Sequence, residues 1–96
     1  MSKPKRYRKL PVEVEAEQWF YDKEIEGVYK DDEQTAMFIS PNEEGIYEQV
    51  GFIETLEGIM CVRKGDWIIT GVAGEKYAVK ESIFNMNYEE VLYENH

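Results

Sequence analysis

The feature that most constrains this chain is a series of short apolar runs separated by glycine corners between Ile46 and Lys80. Ile46 to Leu56 is rich in the β-branched and aromatic residues that suit strands. Glu57-Gly58 then supplies a tight turn, since glycine reaches positive φ at no steric cost, and Ile59-Met60-Cys61-Val62 returns as the partner strand. Lys64-Gly65-Asp66 makes a second corner before Trp67-Ile68-Ile69-Thr70. Gly71-Val72-Ala73-Gly74 makes a third before a strand over Glu75 to Lys80. The pattern predicts a meander of short antiparallel strands.

Earlier in the chain, Val12, Val14 and Ala16 alternate with Glu13, Glu15 and Glu17, the pattern of a strand with one buried and one wet face, closed by Trp19 and Phe20. Three glutamates on one strand face repel one another, so neutral or basic cross-strand neighbours are expected. Residues 22–45 are the least legible, being punctuated by Gly27, Pro41 and Gly45. Asp31-Asp32-Glu33-Gln34 followed by Ala36, Met37, Phe38 and Ile39 predicts a short helix over 32–39, with acidic residues suited to its positive end. Ser82 is expected to cap a helical turn through Ile83, Phe84 and Met86, and Tyr88 to Tyr93 to form a last strand with Val91 inward. The expected fold is therefore α+β: mainly an antiparallel β meander curled into a small roll or partial barrel, with one or two short helices. Ninety-six residues make one domain, and two tryptophans, seven tyrosines and four phenylalanines supply the groups to pack one core. Residues 1–9 read as a basic, flexible N-terminal arm and 10–96 as a single β-rich domain.

Charge narrows the function classes. Twenty acidic against eleven basic residues leave −9. Five of the basic residues, Lys3, Lys5, Arg6, Arg8 and Lys9, lie in the arm, so residues 10–96 carry −14. A body of that sign repels phosphate backbones, which disfavours nucleic-acid binding. Cys61, the only cysteine, sits in an apolar run and reads as a small core hydrophobe; no internal disulfide or CxxC zinc spacing exists. No signal peptide or membrane-spanning stretch is read, so no membrane partner is expected.

Several segments resemble one family. Tyr7-Arg8-Lys9-Leu10-Pro11-Val12-Glu13-Val14-Glu15-Ala16-Glu17-Gln18-Trp19 is similar to the opening of a family of small proteins of tailed bacteriophages and prophages. Ile53-Glu54-Thr55-Leu56-Glu57-Gly58, Lys64 to Val72, Gly74-Glu75-Lys76-Tyr77, Ile83-Phe84 and Tyr88-Glu89 continue the likeness in order, over roughly two thirds of the chain. The resemblance implies a phage or prophage origin and a place in the bacterial host cytoplasm. It brings no catalytic residue and no mechanism.

The candidate chemistry is sparse. Lys64-Gly65-Asp66-Trp67 and Gly71-x-x-Gly74-Glu75 read first as turn chemistry and second as ligand-facing backbone; no Gly-Lys-Ser/Thr follows, which excludes a Walker-type loop. Asp66 and Glu75 flank consecutive strands and are the candidate carboxylate pair. His96 is the last residue, a poor place for a fixed base, and histidine and cysteine ligands for zinc are lacking. Asp31-Asp32-Glu33 and Glu43-Glu44 read as solvated surface, without calcium-loop spacing. Trp19, Trp67, Tyr77, Phe84 and Tyr88 read first as core and second as a stacking wall. Arg63, Lys64, Lys76 and Lys80, if gathered beside Trp67 and Tyr77, would make one positive, aromatic-lined pocket for a small anionic ligand.

The chain is expected to be a binding protein and not an enzyme, without cofactor or metal, whose partner is a host protein. A trap for a small nucleotide-derived signal in counter-defence, using Arg63, Lys64, Trp67, Lys76, Tyr77 and Lys80, is the alternative, and a carboxylate-based enzyme comes third. A homodimer through an edge such as the Val12 strand is open.

Overall fold

The computed structural model describes residues 3–8, 10–30 and 39–92. Among the described residues the strands are β1 (Glu15–Gln18), β2 (Ile39–Pro41), β3 (Tyr47–Gln49), β4 (Gly51–Thr55), β5 (Gly58–Val62), β6 (Trp67–Thr70) and β7 (Lys76–Val79), followed by the helix α1 (Glu81–Asn87). Every pairing is antiparallel. The domain is thus a small, β-rich α+β fold, and the glycine corners lie where the sequence put them. Leu56-Glu57 forms the loop between Thr55 and its partner Gly58, whose φ is +121°.

The strands do not form one meander. They divide into a three-stranded sheet ordered β1-β6-β7 and two hairpins, β2-β3 and β4-β5; no barrel closes. After the corner at Lys64-Gly65 the chain leaves the β4-β5 plane, and β1 takes the edge of β6 that β5 would occupy in a meander. Trp19 fixes this route. Its N–H donates to the Asp66 carbonyl at 2.7 Å, and the Gly65 N–H donates to the Trp19 carbonyl at 2.8 Å. β7 instead lies against β4 and β5, its Ala78 N–H donating to Met60 Sδ at 3.4 Å.

The core fills the space between the three-stranded sheet and the β4-β5 hairpin. Trp19, Ile53, Val62, Ile68 and Ala78 form it, with Tyr21, Ile25 and Val28 packed against them. Ile68 and its neighbour Ile69 are both buried, so central β6 is covered on both faces, where a continuous apolar run fits better than alternation. Burial of large side chains such as Trp19 and Ile53 contributes about 1.5–3 kcal/mol each.

Several local expectations need correction. The N-terminal strand begins at Glu15, and Val12 and Ala16 are exposed: β1 is an edge strand beyond the core, so its alternation has no apolar layer to face. Its glutamates do meet neutral neighbours, Glu15 opposite Thr70 and Glu17 opposite Ile68. Ile46 to Leu56 is two strands, broken at buried Val50, because β3 turns back on β2 while β4 pairs with β5. The helix expected over 32–39 falls on residues 32–38, outside those described, and Ile39 belongs to β2. Ser82 lies inside α1, whose N-cap position is Lys80 with no side-chain cap bond. Residues 88–92 of the strand expected over Tyr88 to Tyr93 form no strand and Val91 is exposed, while Tyr93 lies outside the described residues.

Candidate functional site

The residues singled out from sequence fall at the two ends of the β6-β7 hairpin. At one end, the Lys64-Gly65 corner is built by backbone bonding: Arg63 N–H donates to Asp66 Oδ2 at 2.9 Å, and Asp66 N–H donates to the Arg63 carbonyl at 3.0 Å. Gln18 Nε2 donates to the Gly65 carbonyl at 3.0 Å. The sequence Lys-Gly-Asp thus serves as turn chemistry, with Gly65 at φ +88°. Burial pushes the Asp66 carboxyl above its usual range, opposed by the Arg63 amide and guanidinium.

The cations at this end are already matched. The Arg63 guanidinium bonds Glu48 Oε1 at 3.2 Å, Ser40 Oγ at 2.8 Å and the Pro41 carbonyl at 2.8 Å, clamping the β2-β3 hairpin to the end of β5. Lys64 Nζ lies 3.9 Å from Glu48 Oε2. Lys80 Nζ donates to Glu43 Oε1 at 2.5 Å, a pairing that lowers the Glu43 pKa and raises that of Lys80. Arg63, Lys64 and Lys80 therefore converge, but onto the carboxylates of Glu43, Glu48 and Asp66. Glu43, Glu48 and Ser40 were not foreseen as their partners, because Ser40 and Glu43 lie in the illegible residues 22–45 and only tertiary packing brings Glu48 of β3 to Arg63.

Lys76 is not among them. It starts β7, while Lys80 follows its end, so the two are separated by roughly 13 Å of extended chain. Lys76 Nζ donates to Thr70 Oγ1 at 2.8 Å and lines an open cleft of about 370 Å³ together with Tyr29, Glu54, Thr55, Leu56 and Glu75. An anion entering that cleft meets two carboxylates and one ammonium. Glu75 also bonds locally, its Oε2 accepting from the Ala73 N–H at 2.9 Å. Asp66 and Glu75 stand at opposite ends of the hairpin, too far apart to divide acid and base work between them.

The aromatic residues split in the same way. Trp19 is core. Trp67 stacks on Phe84 with ring centres 4.0 Å apart and planes 5° from parallel, and Phe84 stacks on Tyr88 at 5.0 Å. The Tyr77 and Tyr88 hydroxyls are 3.2 Å apart. That bond and burial push the Tyr77 hydroxyl up to about 12. Phe84 presents one face to Trp67 and the other to Tyr88, so the stacking wall is filled by the chain's own rings.

Among the described residues no group of three or more His, Cys, Asp or Glu side chains is placed to hold a metal ion, and no helix is long and apolar enough to cross a membrane. No family model, curated protein or solved structure matches the chain.

Proposed function

We propose that this chain is a phage or prophage accessory protein that acts by binding a basic surface on a protein of the bacterial host. One observation carries the reading. Five of the six cations of the body are spent on carboxylates: Lys23 pairs with Glu17, Lys30 with Glu24, Arg63 and Lys64 with Glu48, and Lys80 with Glu43, while Lys76 bonds the Thr70 hydroxyl. Glu15, Glu26, Glu44, Glu54, Glu57 and Glu81 remain exposed with no ion pair among the described residues. What faces water is therefore a diffuse negative surface, which complements a positive one and speeds encounter at low salt. The phage-family likeness of the sequence supports the cellular setting.

The geometry lends less support to a trap for a nucleotide-derived signal. The phosphate groups of such a ligand would have to displace Glu43 and Glu48 from Arg63, Lys64 and Lys80, or share the cleft at Lys76 with Glu54 and Glu75. A ligand at a hundred times its Kd would add about 2.7 kcal/mol of stability, so a thermal-shift screen with cyclic and linear nucleotides is expected to be flat. The positive test is capture from a bacterial lysate on immobilised chain at low salt, followed by binding kinetics of the isolated partner. Association is expected to slow steeply as ionic strength rises. A partner whose association rate ignores salt, or no captured protein at low salt, defeats the proposal.

A further inference from the structure

Among the described residues, nothing pairs with the outer edge of strand β5. Phe52 of β4 exchanges both of its backbone bonds with Tyr29, at 2.8 and 2.9 Å, so its N–H and C=O point away from β5. Antiparallel alternation then makes Gly51–Val62, Ile53–Met60 and Thr55–Gly58 the hydrogen-bonded pairs. By the same alternation the N–H and C=O of Ile59 and Cys61 point outward, and among the described residues none of these four groups has a hydrogen-bond partner.

Sheet edges left open are ordinarily blunted by charge, proline or a covering side chain. The outer edge of β7 is covered, since the Ala78 N–H meets Met60 Sδ. β1 carries exposed Glu15 and Glu17. β5 reads Gly58-Ile59-Met60-Cys61-Val62, with no charge and no proline, and its Ile59 is 74% exposed.

We propose that β5 pairs antiparallel with β5 of a second copy across a two-fold axis at Met60. In that register Ile59 lies opposite Cys61 of the second copy, and by symmetry Cys61 opposite its Ile59. Each of the four outward groups then gains a partner, giving four N–H···O=C bonds and joining two hairpins into one four-stranded sheet. The register also sets exposed Glu57 against Arg63 of the second copy, twice over, with Lys64 at the next position; Arg63 keeps its bonds to Glu48, Ser40 and Pro41, so these facing charges add only a screened attraction and the four backbone bonds carry the pairing. The Ile59 side chain is covered by Cys61 of the second copy. The interface uses one patch twice and therefore closes at two chains. Self-pairing through β1, the edge near the Val12 segment, would place glutamates on adjacent strands.

The purified chain alone tests this, so the outcome is independent of any host partner. Sedimentation velocity from about 10 μM to about 1 mM should show a reversible monomer–dimer equilibrium, and the Ile59 and Cys61 amides should exchange more slowly with solvent as concentration rises. Ile59→Pro removes only an outward N–H, a position where an edge strand accepts proline, and Ile59→Lys puts a charge on an already exposed site. Each is expected to weaken self-association at least about tenfold, with the β4-β5 hairpin intact by NMR. Glu57→Lys should weaken it as well, because lysine would then face Arg63. A chain that stays monomeric at about 1 mM overturns the pairing, whatever else that edge binds. So does a dimer whose strength neither Ile59 substitution changes, or one that forms without slowing exchange at Ile59 and Cys61.

Discussion

Replacing Phe84 by alanine removes the middle ring of the Trp67–Phe84–Tyr88 stack, and with it the anchor of α1. The helix has only seven residues, none of them buried, and no side-chain cap. Nucleating an isolated helix carries a factor of about 10⁻³, or ~4 kcal/mol, and so short a segment gains almost nothing back by propagation. Two stacked pairs contribute about 0.5–1.5 kcal/mol each, burial of most of the Phe84 ring about 2 kcal/mol, and the Tyr77–Tyr88 hydrogen bond about 1 kcal/mol. Docking therefore exceeds nucleation by only about 0–2 kcal/mol. Phe84→Ala takes away roughly 3–5 kcal/mol of the favourable side, so α1 melts, and melting limits the global loss to that net figure, at most about 2 kcal/mol. The core of Trp19, Ile53, Val62, Ile68 and Ala78 contains no part of the stack and stays folded. Hydrogen exchange should show protection lost at Phe84 and Tyr88, whose N–H groups bond the Lys80 and Phe84 carbonyls, with Ile68 and Ala78 unchanged. Trp67 emission should shift to the red, while that of Trp19 should not. Retained protection across α1, or a loss above about 3 kcal/mol in one cooperative urea transition, would refute the reasoning by making the stack part of the core.

Three further perturbations follow from the same geometry. A Cβ at Gly51 would lie 2.8 Å from Val28 Cγ1, 3.1 Å from the Tyr29 carbonyl and 3.2 Å from Trp19 Cζ2, so Gly51→Ala should cost about 2–3 kcal/mol in urea unfolding; a change below about 0.5 kcal/mol would contradict this packing. Arg63→Ala should cost about 2 kcal/mol and loosen Ser40 and Glu48 ahead of the core, and Arg63→Lys should rescue little because a single ammonium nitrogen cannot span acceptors that the guanidinium reaches from two separate nitrogens; full rescue by lysine would reduce the clamp to simple charge. The Tyr77 phenol, held up to about 12 chiefly by its bond to Tyr88, favours the folded state fully below the ordinary tyrosine range near 10, and that contribution fades as pH rises through about 12. Tyr88→Phe should bring the Tyr77 phenolate transition down toward 10 in an absorbance titration, and an unmoved transition would show that the bond is not its cause.

How much was legible from sequence depended on the range of the interactions involved. The corner at Gly58, the strand ends at Val62, Trp67 and Thr70 and the turn at Gly65 were readable because strand and turn preferences act over a few residues. The site was less so. Arg63, Lys64 and Lys80 do converge, but their partners Ser40, Glu43 and Glu48 sit 15 to 37 residues away, Ser40 and Glu43 in a segment with no clear period, and no local rule links the two sides. Val12 and Ala16 misled for a related reason: alternation states which side chains share a face, not whether anything covers it.

The amino-acid sequence by itself determined the antiparallel character of the domain, the placing of its corners and the negative sign of its surface, since backbone preference and formal charge belong to each residue. Tertiary structure alone decided that β6 pairs with β1 instead of β5, that Arg63, Lys64 and Lys80 meet carboxylates rather than open space, and that among the described residues β5 keeps an unpaired edge. Those outcomes depend on which of several compatible edges lies nearest once Trp19 is buried, a choice made by packing among residues distant in the chain.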